Sequence, residues 1–158
     1  MWRAPSWLLR LSGSVIRRAR VADAPAVHAT LLAVSDEIPL AANFADEAHQ
    51  RWVRDECRHQ RVWVDDRSGA VAGAMVMSVN EIRYLAVPPA FRRQGVGRAL
   101  AEHALAYIRG RRWAGVTARV RPANTPIVKL LESLGFAPHP ILVAARPAWL
   151  VYAWGDVQ

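Results

Sequence analysis

The chain carries a single cysteine, Cys57, in 158 residues, which excludes an internal disulfide framework and any multi-cysteine zinc site. His49 and His59 lie near Cys57 in sequence, but a thiol nucleophile needs a placed base and this spacing supplies none. Cys57 therefore reads as a packed thiol suited to a reducing cytoplasm. Lysine is just as scarce: Lys129 stands alone among 21 cationic side chains. A Walker loop, two glycines five apart followed by Lys-Ser or Lys-Thr, is thereby excluded. Long apolar runs are missing as well. Trp2, Trp7, Leu8, Leu9 and Leu11 are interrupted by Arg3 and Arg10, too short a stretch for a signal segment or a membrane span. Residues 1–13 read as a flexible extension and residues 14–158 as one domain, with no metal expected.

What the chain has in quantity is arginine, unevenly placed. The net charge of +8 resolves into two basic blocks around an acidic one. Residues 1–20 hold five Arg and no acid, residues 21–60 seven acids against three Arg, and residues 91–121 eight Arg against one acid. A basic block suits nucleic acid, a membrane surface or a small polyanion equally well. No groove-reading motif accompanies it, which disfavours nucleic acid. Outside residues 92–98, the cations Arg109, Arg111, Arg112, Arg119 and Arg121 read as solvated surface.

Periodicity supplies the elements. Residues 14–20 read as a strand, Asp23 as the cap of a helix over 24–34, and residues 44–58 as a second, charge-rich helix. Short apolar runs at 61–64 and 70–77 flank Asp65-Asp66-Arg67-Ser68-Gly69, a hairpin signal. Glu81 to Val87 is a further strand, stopped by Pro88-Pro89. Leu100, Ala101, Ala104, Leu105 and Ile108 then recur with helical period after Gly97, up to Gly110. Residues 116–120 form a strand, and Ile127, Leu130, Leu131 and Leu134 a short helix opened by Asn124-Thr125-Pro126 and closed by Gly135. Apolar runs at 141–144 and 149–154 follow. This order predicts an α/β fold with a mixed central sheet of six to seven strands flanked by about four helices.

Gly95-x-Gly97 between a strand and a helix has the ingredients of a phosphate site: close backbone approach and unpaired N–H groups at a helix start. A Rossmann fingerprint would need glycine or alanine at position 100, where Leu100 stands. What remains, Arg92-x-x-Gly95-x-Gly97, resembles the coenzyme A signature of the GNAT superfamily of N-acetyltransferases. The run from Asn124 to Leu134-Gly135-Phe136 is similar to that family's Asn-led helix, and the element order resembles it from about Val15 to Trp154.

The resemblance implies acetyl-CoA as cosubstrate. It places the pyrophosphate on Arg92, Arg93, Gln94, Gly95, Val96, Gly97 and Arg98, and the pantetheine arm on Leu85, Ala86 and Val87 with Asn124; Lys129 is implied as a phosphate contact. It also implies Glu81 as the base for a primary amine attacking directly, since an ammonium titrating near 10 must first lose a proton. A backbone N–H near Ala86 or Val87 is the natural oxyanion donor. The family's general-acid Tyr is matched here by Leu131, leaving Tyr84, Tyr152 or a water as stand-ins. That departure keeps open a second reading, a non-catalytic acyl-CoA sensor or interaction module.

Asp36, Glu37, Asp46, Glu47, Asp55 and Glu56 lie where the resemblance puts the acceptor, and suggest a cationic one, a small molecule or a protein amine. A solvated helix face explains most of them equally well. Phe44, Trp52 and Trp63 wall a pocket or fill the core, and core is the reading taken. The apolar, Trp-bearing C-terminal strand makes a homodimer an expectation.

Overall fold

The computed structural model describes residues 14–38, 45–139 and 150–157. The extension 1–13, Phe44, the run 141–144 and Trp149 lie outside the described residues. Seven strands form one mixed sheet: β1 (Ser14–Arg18), β2 (Val62–Arg67), β3 (Ala70–Ser78), β4 (Glu81–Ala86), β5 (Gly115–Val120), β6 (Ala137–Pro138) and β7 (Leu150–Gly155). Four helices join them: α1 (Ala24–Ala33), α2 (Glu47–Arg58), α3 (Val96–Gly110) and α4 (Thr125–Ser133). The sheet order is β1-β2-β3-β4-β5-β7-β6. Neighbours are antiparallel except β4 and β5, which run parallel. Among the described residues no helix is long and apolar enough to cross a membrane.

Two cores lie on opposite faces of the sheet. Val27, Leu31 and Val53 from α1 and α2 pack with Val62, Val64 and Val76 on one face. Leu100, Ala104 and Ile108 of α3 and Leu131 of α4 pack with Met75, Val116 and Ala118 on the other. Leu31, Leu100, Ile108 and Leu131 are fully buried, each worth roughly 1.5–3 kcal/mol against exposure. The i, i+3, i+4, i+7 spacing read in the sequence thus faces β3 and β5 as a single apolar stripe.

Local expectations are corrected at four places. Asp23 sits at the N-cap position of α1, yet its carboxylate makes no cap bond there. It accepts instead from Arg17 Nη1 at 2.8 Å and the Arg20 N–H at 2.6 Å, an ion pair and a backbone donor that outcompete the helix end. Helix α2 starts at Glu47, because the Asp46 side chain accepts from the His49 N–H at 2.9 Å and sets its N-cap. Strand β2 runs through Asp65 and Asp66 to Arg67, which pairs with Ala70, so the turn is only Ser68-Gly69, at φ +53° and +90°. Asp65 belongs to the sheet since it is fully buried and takes the Ser14 hydroxyl at 2.7 Å. Helix α3 includes Gly110, and the first left-handed residue beyond it is Arg112, at φ +58°.

Gly73 on β3 allows α3 to settle on the sheet. A Cβ there would stand 2.5 Å from Val96 Cγ1 and 3.2 Å from the Ala86 carbonyl oxygen. The start of α3 is therefore pressed against β3 and β4, and the loop before it is placed at the end of β4.

Candidate functional site

Strands β4 and β5 pair only at Glu81 with Thr117 and Ile82 with Ala118. Beyond that point they part, so the edge of β4 that faces β5 is left without a strand partner among the described residues. The opening holds a cavity of about 450 Å³, within the range of small-molecule sites. Val87, Ile127 and Leu130 give it apolar walls, and Arg92, Arg93 and Arg98 give it charge. A smaller cavity of about 20 Å³ shares Glu37, Ile38 and Leu85 with it and reaches Ile82, Ala118 and Leu131, where the strands separate.

The loop at its end is built to present N–H groups. Arg93 and Gly95 take left-handed backbone at φ +61° and +75°, and Gly95 is the N-cap of α3 without a side chain to cap it. The first N–H groups of an α-helix have no intrahelical acceptor, and the dipole there is positive. The loop's shape is held from β2: Arg67 donates through Nη1 to Gln94 Oε1 and through Nη2 to the Gln94 carbonyl at 3.5 Å. Arg67 carried no signal in the sequence, because its partner lies 27 residues away.

Of the residues expected at the cofactor, Leu85, Val87, Arg92, Arg93, Gly95, Val96, Gly97, Arg98 and Asn124 line the large cavity. Ala86 is buried behind it, Gln94 turns to Arg67, and Lys129 is exposed on α4 away from the lining. Arg98 donates to Ser133 Oγ at 2.7 Å, tying α3 to α4. Asn124 caps α4 by accepting from the Ile127 N–H at 3.4 Å, while its Nδ2 donates to the Glu37 carbonyl at 3.1 Å.

Glu37 lines both cavities. Its carboxylate takes Arg92 Nη2 at 2.6 and 2.8 Å, and Arg92 Nε donates to the Val87 carbonyl at 3.1 Å. The other five acids considered for the acceptor line neither cavity. Asp46 caps α2, Asp55 pairs with Arg58 at 2.9 Å and the buried Glu56 with Arg61 at 3.1 Å, while Asp36 and Glu47 are exposed.

Glu81 opens β4 and is ion-paired with Arg119, whose Nη2 donates to Oε2 at 3.2 Å and whose Nε lies against Oε1. It lines neither cavity and stands at the paired end of the opening. Arg119 and Arg121 are not simply solvated: Arg121 Nε donates to the Ile38 carbonyl at 2.8 Å. None of the three tyrosines lines either of these cavities. Tyr84 packs edge-on to Trp52 at 5.8 Å, Tyr152 donates to Glu132 at 3.3 Å, and Tyr107 packs against Trp63 at 5.7 Å. Burial pushes the Tyr84 and Tyr152 hydroxyls above their usual range. Leu131 is buried at the base of the smaller cavity. Trp52 and Trp63 pack against the two cores and line neither cavity.

Fold and loop together define a class: a mixed-sheet protein with an arginine-rich loop and an uncapped helix start at the mouth of a parted parallel strand pair. Comparison with known proteins names it. The model of the acetyltransferase (GNAT) family matches residues 31–136, more than half of the chain, and the chain belongs to that family. A mycothiol acetyltransferase of Thermobispora bispora is 34% identical over 135 residues, 70% of this chain and 46% of that protein. The [ribosomal protein bS18]-alanine N-acetyltransferase of Escherichia coli K12 is 44% identical over 52 residues, 33% of this chain and 35% of that enzyme. The chain thus spans less than half the length of these curated relatives. Rv2747 from Mycobacterium tuberculosis, solved in complex with CoA, shares the fold at a TM-score of 0.71 and 18% identity, over 90% of this chain and 99% of that one.

Proposed function

We propose that the opening between β4 and β5 binds acetyl-CoA and that the protein moves its acetyl group to a primary amine by direct attack. The observation that carries this reading is the parting of β4 from β5 beyond Ile82 and Ala118, with the uncapped start of α3 at the far end. The freed edge of β4 suits an amide-bearing arm, which adds to a sheet as a strand does. Leu85, Val87, Ile127 and Leu130 supply its apolar contacts. The N–H groups from Arg93 to Arg98 suit a pyrophosphate, with Arg93 and Arg98 adding charge.

Acetyl-CoA, when bound, supplies the activated acyl group as a thioester. The protein's part is to hold it, polarise its carbonyl and take the proton that frees the amine for attack. A β4 backbone N–H near Ala86 or Val87 faces the developing oxyanion. The acceptor ammonium first gives one proton to Glu81, directly or through water; its neutral nitrogen then forms the C–N bond as the C–S bond breaks, the sulfur leaves with the electron pair, and the second N–H proton, lost as the amide forms, goes to the thiolate or to solvent. Calorimetric titration with acetyl-CoA, followed by free-thiol release against a panel of amines, tests the reading, and absence of binding overturns it. Replacement of Glu81 by Gln lowers kcat by roughly 10²-fold if it takes the proton; unchanged turnover removes it from that role.

One observation favours a second reading. No tyrosine hydroxyl lines either cavity, so an acyl-CoA-binding module without turnover is also consistent with the geometry. Binding without thiol release across the panel would select it.

A further inference from the structure

We propose, resting on the transferase reading above, that the amine acceptor bears a carboxylate and that Arg83 and Arg121 recognise it. The face of the opening lined by α3 and α4 is taken up by the groups assigned to acetyl-CoA, so the amine must enter from the opposite face, on the α1 and α2 side. Beside the apolar core, that side carries Arg83, Arg119 and Arg121, of which Arg119 lines the smaller cavity and the other two line neither. Val116, Ala118 and Val120 of β5 point into the α3 core, and strand alternation turns Thr117, Arg119 and Arg121 to the other side. Arg121 reaches the Ile38 carbonyl there, and Ile38 belongs to the α1 core. Arg83 lies where the register between β3 and β4 shifts, with its guanidinium 5.5 Å from the Trp52 ring centre and 5.9 Å from that of Tyr84.

The charges on this face do not cancel. Burial raises the Tyr84 hydroxyl, and the charges of Arg83, Arg119, Glu81 and Glu56 act on it in smaller measure. Glu81 is matched by Arg119 and Glu56 by Arg61. Arg83 and Arg121 are left over. All thirteen Asp and Glu of the chain fall within the described residues, and among them none forms an ion pair with either arginine. The segments 39–44 and 140–149 contain no acid at all, so no side-chain carboxylate of this chain is in reserve for them. Stacking on Trp52 and the bond to Ile38 hold the two guanidiniums in place, which lowers the ordering cost of binding an anion.

This reverses the expectation of a cationic acceptor. Of the acids behind that expectation, Asp36 and Glu47 are exposed, Asp46 and Asp55 pair on α2's own surface, Glu56 pairs with Arg61, and Glu37, on the cavity wall, is matched by Arg92, which leaves Arg83 and Arg121 as the unmatched charges. The recognised chemistry is an amine with a carboxylate within side-chain reach, which a free amino acid and an acidic peptide amino terminus both present.

The test compares matched acceptors by released CoA thiol: peptides sharing one amino-terminal residue followed by two Asp, two Asn or two Lys, and free amino acids against their methyl esters. Carboxylate-bearing acceptors should exceed their neutral matches by about tenfold or more in kcat/KM, the size of one charge-assisted contact. The advantage should lie in KM and shrink as salt is raised. The arm that shows the larger ratio tells amino acid from peptide. Arg83→Gln and Arg121→Gln should each collapse the ratio through KM, and Arg83→Lys should restore part of it, with acetyl-CoA affinity unaltered throughout. Equal or better turnover of neutral and Lys-bearing acceptors by the unmodified protein overturns the proposal and leaves the transferase reading standing. Acetyl-CoA binding without thiol release from any acceptor overturns both.

Discussion

Glu37 and Arg92 join the segment after α1 to the loop before α3, with both carboxylate oxygens taking the same Nη2 at 2.6 and 2.8 Å. In the proposed acetyl-CoA complex a pyrophosphate would compete for that donor, and the Glu37 charge on the cavity wall would oppose it. Glu37→Gln is therefore expected to tighten acetyl-CoA binding about three- to tenfold by calorimetry, a modest gain because both side chains are about 40% exposed. Weaker binding would mean that Glu37 serves the site by holding Arg92 in position.

Gly95 and Gly97 should answer to substitution in opposite ways. Gly95 has φ +75° with open space around an added Cβ, so Gly95→Ala meets no neighbour but strains the backbone, at about 1 kcal/mol. Gly97 lies within α3, and a Cβ there would rest at ordinary contact, 3.4 Å from Leu130 Cδ2. Gly97→Ala should leave urea stability unchanged or raise it by roughly 0.5–1 kcal/mol through helix propensity. Gly95→Ala should lower stability and weaken acetyl-CoA binding together.

Helix α3 and the loop before it were legible because their signals are local: an apolar period of 3.6 and two glycines at its start. The parting of β4 from β5 was not legible, since nothing in residues 81–87 or 115–120 announces where pairing stops; the family resemblance implied only that a pantetheine arm lies along Leu85, Ala86 and Val87. Asp65 looked like turn chemistry because its partner, Ser14, is 51 residues distant. Glu37 was visible as one acid among six, and its arginine lies 55 residues on. Long-range polar pairing leaves no periodicity, so these contacts, along with Arg67 on Gln94, came only from the fold.

Cys57 should be inert in the native protein. Its side chain is buried, and burial pushes the thiol up to about 11, so almost no thiolate exists at neutral pH. A thiol reagent at about pH 8 is expected to label the protein slowly until denaturant exposes one equivalent. Rapid native labelling would reopen a role for this residue, and slow labelling keeps the background low in CoA-release assays.

Acid should loosen the β1 edge in a defined window. Hydrogen bonds from Arg17 hold the Asp23 and Asp66 carboxyls below their ordinary value near 3.8. A depressed carboxyl binds its proton later in the folded chain than in the unfolded one, so its stabilisation is intact above that value and lost as pH falls below it. The urea midpoint should therefore drop between about pH 5 and about pH 2. Arg17→Gln should lower the midpoint at neutral pH and flatten that drop; an unchanged acid limb would show that the pairing contributes nothing.

Tyrosine should prove dispensable for turnover. The leaving group of the proposed reaction is an alkyl thiolate, a far weaker base than an alkoxide, so its departure near neutral pH asks less of a proton donor than an alkoxide would. Tyr152 is turned to Glu132 and Tyr84 to Trp52, and neither lines a cavity. Tyr84→Phe and Tyr152→Phe are each expected to keep kcat within about threefold, because general acid catalysis by either would be worth roughly 10²-fold or more. The pH profile of kcat should likewise show no alkaline fall that either substitution removes. A hundredfold loss at one of them, with acetyl-CoA affinity intact, would identify the proton donor and show that the opening closes around it during turnover.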